Sequence, residues 1–258
     1  MTRTPSLCGT GPRVRRFAAA LGCALALQAL GSAARADPGY YVVTVYDNAG
    51  QVNLDLRYWT VNLDNIPQVK WPELGLGYGV TSRWTTELYG SWIGSSQMPM
   101  QLNTWNWQND LLLTQGDYPL DVALHTLLVR DARKADGYAI EWGPVLQTDV
   151  GRTQLNGNVF FEKGHDGFEP GPSQMKYQWQ VRHRWRPGLH LGLQGFGELG
   201  PWDHWAPRDQ QSHRAGPALF GTIPLGERQS LLVQATYQFG SVYGQDARML
   251  SMRAQLIF

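Results

Sequence analysis

Cysteine is nearly absent from this 258-residue sequence: there are two, Cys8 and Cys23, both within the first 36 residues. Disulfide and thiol chemistry are therefore excluded from residue 37 onward. Acidic residues are missing from that same opening stretch, where Asp37 is the first to occur. Beyond it, no apolar run is long enough for a membrane helix.

The opening stretch has Arg3, Arg13, Arg15 and Arg16, then an apolar run over 17–31, then small residues with Ala34 and Ala36 in A-x-A spacing. That order predicts a secretory signal peptide over 1–36, cut before Asp37. Five of the 22 Lys and Arg residues and none of the 21 Asp and Glu residues precede Asp37. Seventeen bases then face 21 acids, a net charge of −4. An acidic balance argues against nucleic acid as a partner.

The remainder is rich in Trp, Tyr and Gly, and its apolar residues recur with a period of two. In "MKYQWQVRHRW" (175–185), Tyr177, Trp179, Val181 and Trp185 alternate with Lys176, Gln178, Gln180, Arg182 and Arg184. Such alternation predicts a strand with one apolar and one polar face. Similar segments begin near residues 52, 73, 83, 104, 120, 138, 153, 189, 214, 230 and 248, about twelve in all. Short turns at 80–83, 114–119, 147–152, 185–188 and 225–228 alternate with longer connections. The longer ones fall at 60–72, 93–103, 129–137, 163–173 and 200–213, with a modest one at 240–246.

In a soluble protein the Trp and Tyr face would need a core to cover it. A closed barrel in lipid needs only lipid, and closure leaves no unpaired strand edge. Negative mean hydropathy does not oppose this, because every second residue of such a barrel faces water. The expected fold class is thus all-β: a closed antiparallel transmembrane β-barrel of about twelve strands over residues 51–258. Ten or fourteen strands remain open, since 40–46 also alternates. Residues 37–50 are expected as a periplasmic or lumen-entering extension. The expected location is the bacterial outer membrane, with 163–173 and 200–213 outside and 185–188 periplasmic. Outer-membrane lipids are the expected neighbours of the apolar face. Phe258 resembles the C-terminal aromatic signature read by the barrel-assembly machinery.

The hairpin "ELGLGYGVTSRWTTELYGSW" (73–92) resembles small barrels of the phenol-degradation MetA-pathway group and related outer-membrane transporters. That resemblance implies uptake of small, aromatic molecules and carries over no catalytic residue.

The residues themselves point to the lumen. Glu87, Asp110, Glu141 and Glu162 turn inward from the earlier strands, with Asp121 and His125 beside them. Arg182, Arg184 and Arg253 turn inward from the later ones, with Lys176 and Arg214. Strands six apart face each other in a twelve-strand barrel, so an acidic wall is expected opposite a basic one. The function expected is passive passage of small polar or aromatic solutes. The alternatives are a non-conducting structural or adhesive barrel acting through its loops and, third, a lipid-modifying enzyme. No catalytic residue is assigned: G-x-S-x-G does not occur, and His183 falls on the lipid face near a periplasmic turn. Asp203, His204, Asp209 and His213 match no standard metal spacing, so no metal and no cofactor are expected.

Overall fold

The computed structural model describes residues 41–45, 49–64, 66–114, 116, 118–132, 137–166 and 171–258. The expected signal segment and residues 37–40 and 46–48 of the extension lie outside these. The period-two segments form twelve strands. They are β1 (Val52–Leu63), β2 (Val69–Gly79), β3 (Trp84–Ile93), β4 (Gln101–Leu112), β5 (Asp121–Asp131) and β6 (Tyr138–Val150). The other six are β7 (Thr153–His165), β8 (Gln174–Arg186), β9 (Leu189–Pro201), β10 (Ser212–Pro224), β11 (Ser230–Val242) and β12 (Gln245–Ile257). Each pairs antiparallel with its sequence neighbour, and β12 pairs with β1, so the sheet closes. Phe258 completes the seam: its N–H donates to the Val52 carbonyl, and the Val52 N–H donates to its own.

Alternation decides the two faces. On β1, Asn53, Asp55 and Arg57 are buried, while Leu54 and Leu56 are exposed. On β4, Asn106, Gln108 and Asp110 are buried, while Trp105, Trp107 and Leu111 are exposed. Polar groups on these strands thus turn inside and apolar groups cover the outside, the reverse of a water-soluble fold. Exposed Trp84 and Trp185 sit at strand ends, as interfacial girdles do.

The strands run further than the alternation indicates. The shortest, β3, has 10 residues and several have 13. Crossing hydrocarbon takes about 9–11 tilted residues. The overhang lies in water, so its outward positions are polar, as at Lys70 and Lys163, and the apolar signal stops early. The connections expected at 60–72, 93–103 and 200–213 therefore contract to 64–68, 94–100 and 202–211. The one expected at 240–246 contracts to Tyr243-Gly244, whose φ values of 47° and 78° suit a two-residue primed hairpin turn.

The outer wall over β8–β10 depends on two glycines. Tyr177 lies opposite Gly197 and Trp179 opposite Gly195. A Cβ on either glycine would fall within 2.2 Å of the opposing ring. The rings therefore lie flat across β9 and replace the missing side chains. Tyr177 reaches β10, where its hydroxyl is 2.9 Å from His213 Nδ1.

Candidate functional site

The lumen holds charged side chains on nearly every strand. Burying charge is costly unless it is paired and hydrogen-bonded, and the pairs define the site. Around the seam, Arg57 Nε donates to Asp55 at 2.9 Å, and Nη2 reaches Glu87 at 3.5 Å. Arg57 Nη1 lies 3.9 Å from Glu73, and Nη2 also donates to the Tyr89 hydroxyl. That hydroxyl is 2.7 Å from Glu87 and 2.9 Å from Asp55. Arg253 closes the group, with Nη2 2.7 Å from Asp55.

A second chain of contacts crosses β4–β8. Gln108 donates to Asp110 at 2.6 Å. His125 Nδ1 is 2.6 Å from Asp110, and Nε2 is 3.5 Å from Glu141. Lys176 joins Glu141 at 3.1 Å to Glu162 at 2.5 Å. On the remaining wall, Arg214 meets Glu198 at 2.7 Å.

Residues 41–45 belong to no strand and lie inside the barrel. The Tyr41 ring stacks on Arg57, 3.5 Å from Cζ to centroid, while its hydroxyl donates to Gln108 at 2.6 Å. Tyr41 thereby joins the two charge networks. Its neighbour Val43 is read through its backbone: its N–H donates to Gln178 at 3.0 Å, and Asn158 Nδ2 donates to its carbonyl at 2.8 Å. Side-chain amides thus supply what a partner strand would supply to an extended segment. The side chains of Tyr41 and Val43 pack with Leu112, Ala123, Val145 and Phe160. On the other side, Val42 and Thr44 border a cavity of about 80 Å³. Gln180, Arg182, Phe220, Gln234, Arg253 and Gln255 supply its polar and aromatic lining.

Among the expected lumen residues, Glu87, Asp110, His125, Glu141 and Glu162 are buried inside. Arg182 and Arg253 line the cavity. Arg184 is a correction: it shares their register parity but sits at the barrel rim, 41% exposed and 2.9 Å from Asp149. It is the first residue past His183, the last of β8 to pair with β9 before the register shifts, where the lumen has opened to solvent. The inward charges also pair between neighbouring strands. Arg253 pairs with Asp55 of the adjacent strand, and Lys176 with Glu162 of its neighbour. Short range wins because Coulomb energy and desolvation both reward contact over a gap. An excess of Lys and Arg over acids still marks the β8–β12 side.

Asp55 and Arg57 fall on the polar side of the 52–59 segment by alternation, but they and Tyr89 were not among the expected lumen residues. Inward apolar residues such as Phe160 and Leu127 gave no signal. On the outer wall, His183 is 3.0 Å from Thr153 Oγ1. His204 pairs with Asp203, whereas His213 turns away to Tyr177 and Gln211. Among the described residues no cluster of three His, Cys, Asp or Glu is arranged to hold a metal.

No protein-family model and no curated protein matches this sequence. Solved structures do match. An outer-membrane channel from Pseudomonas putida F1 aligns over 86% of this chain and 99% of its own, with TM-score 0.59 and 15% identity. The NanC porin aligns over 80% and 98%, with TM-score 0.53 and 11% identity. The KdgM porin aligns over 78% and 97%, with TM-score 0.51 and 7% identity. The fold is that of a bacterial outer-membrane barrel.

Proposed function

We propose that this barrel resides in the bacterial outer membrane and passes small polar or aromatic solutes passively, with residues 41–45 forming its constriction. The observation that carries the reading is the cavity beside Val42 and Thr44, bordered by amides, two arginines and Phe220. A gap of that size and polarity holds water. Arg182 and Phe220 offer a solute a guanidinium and a ring together, with Cζ 4.9 Å from the centroid. Lipids cover the outer face, Phe258 serves the assembly machinery, and the reading assigns no catalytic step. Longer loops outside and shorter turns in the periplasm put both barrel ends of the seam, Val52 and Phe258, on the periplasmic side.

The test is single-channel recording in planar bilayers. Wild type is expected to conduct weakly. Tyr41→Ala unhooks the segment from Arg57 and Gln108 and is expected to raise unit conductance. Arg182→Gln is expected to move the reversal potential towards cations, more strongly at low salt, where screening is weak. One observation favours a second reading, a non-conducting structural barrel: the charges pair locally and Tyr41, Val42 and Val43 are buried. Silence in both wild type and Tyr41→Ala would support that reading and defeat the channel.

A further inference from the structure

The lipid-facing wall is not symmetric from end to end. Across β1–β11, no Asp or Glu occupies an outward register position; Asp55, Glu73, Glu87, Asp110, Glu141, Glu162 and Glu198 alternate with exposed outward residues and face the lumen. Outward Lys and Arg do occur in the strands: Lys70, Arg130, Lys163 and, on β12, Arg248 beside Asp246. All four lie at the end of the barrel bearing connections 64–68, 132–137 and 166–173, the end assigned above to the cell exterior. At the other end the strands place Arg186 in outward register, opposite Leu189 past a bulge in β8.

Two of the four are neighbours, and the register gathers aromatic groups around them. Trp105 on β4 is opposite Arg130 on β5, Arg130 is opposite Tyr138 on β6, and Tyr138 is opposite His165 on β7. Lys163 is opposite Ile140, one outward step from Tyr138. Directly opposed residues on one face stand within about 5.5 Å at their Cα atoms. Tyr138 and His165 are stacked, with centroids 5.0 Å apart. Lys163 Nζ also donates to the Gly171 carbonyl, which holds the ammonium at the rim. Immediately towards mid-membrane the same face carries exposed Trp107, Leu128, Ile140 and Trp142.

From this arrangement we infer that the outer rim over β4–β7 is a binding site for a phosphate-bearing lipid of the outer leaflet, held by Arg130 and Lys163 with His165. The inference rests on the membrane orientation proposed above. The guanidinium offers a planar fork to phosphate oxygens and the ammonium a point charge. Tyr138 and Trp105 sit at headgroup depth, where amphipathic rings are favoured. The apolar row below fits acyl chains, which is why the occupant is a lipid and not free phosphate. Outward basic residues in hydrocarbon would be costly, but at the headgroup level they gain from anionic charge.

The experiment titrates purified, folded barrel in neutral-detergent micelles with bisphosphorylated lipid A, with the same lipid stripped of phosphate, and with inorganic phosphate. Native mass spectrometry reads the bound fraction. Wild type is expected to bind the phosphorylated lipid about tenfold or more tighter than the stripped one, and Arg130→Gln/Lys163→Gln should lose that difference. Lys70→Gln/Arg248→Gln should keep it. Equal binding of the two lipids by wild type overturns the inference without recourse to any variant. So does an equal loss in both double variants, which would mean diffuse charge and no site. Displacement by millimolar inorganic phosphate would assign the site to a free anion and overturn the lipid. Failure of the barrel to insert into bilayers at all is a separate outcome, which would sink the membrane reading on which this one stands.

Discussion

Arg57→Met is expected to lower unfolding stability in lipid vesicles by about 3–5 kcal/mol, the cost of leaving buried acids without their shared partner. Arg57 is buried and contacts Asp55, Glu73, Glu87 and Tyr89, with Tyr41 stacked over it. Asp55 retains Arg253, so the lost compensation falls chiefly on Glu87. Adding Glu87→Gln to Arg57→Met should therefore recover part of the loss, because the new amide carries no charge to desolvate. Urea unfolding of wild type, single and double variants measures this coupling directly. A double variant as unstable as the sum of both changes would show that the two side chains are not one network.

On the opposite face, Leu56→Arg is expected to cost about 2–4 kcal/mol, the penalty for Arg near the bilayer midplane on a barrel wall. Leu56 is 51% exposed in the bare protein and flanked across the sheet by Leu74 and Ala254. In water such a change would be neutral, so the magnitude reports lipid on that face. Gln255→Arg turns into the polar cavity and is expected to cost less, the guanidinium remaining hydrated there. Equal penalties, or a larger one at Gln255, would contradict the assignment of faces.

Much of the wall was legible because its physics is local. A residue's face follows from its neighbour two positions away, so Asp110, Glu141 and Glu162 could be turned inward from the sequence alone. Strand ends were less legible, because past the hydrocarbon both faces of a strand meet water and alternation ends before pairing does. The pairing of charges was not legible at all. It depends on which inward groups stand within contact across adjacent strands, and register is set by every turn together. Arg253 meeting Asp55 across the closing seam joins residues 198 apart. The role of Tyr41 was hidden for a related reason: its partners Arg57 and Gln108 come from β1 and β4, and no spacing in the chain announces that they converge.

The central claim is that the cavity beside residues 42 and 44 lies on a conducting path. Thr44→Cys, with Cys8 and Cys23 replaced by Ser, tests it most directly. A single barrel would be recorded in a planar bilayer while a bulky cationic methanethiosulfonate is added to the bath. The account predicts one irreversible downward step in unit current as the reagent reaches the introduced thiol and fills the gap between Arg182, Gln234 and Gln255. A current unchanged after mass spectrometry shows the thiol to be modified would contradict it.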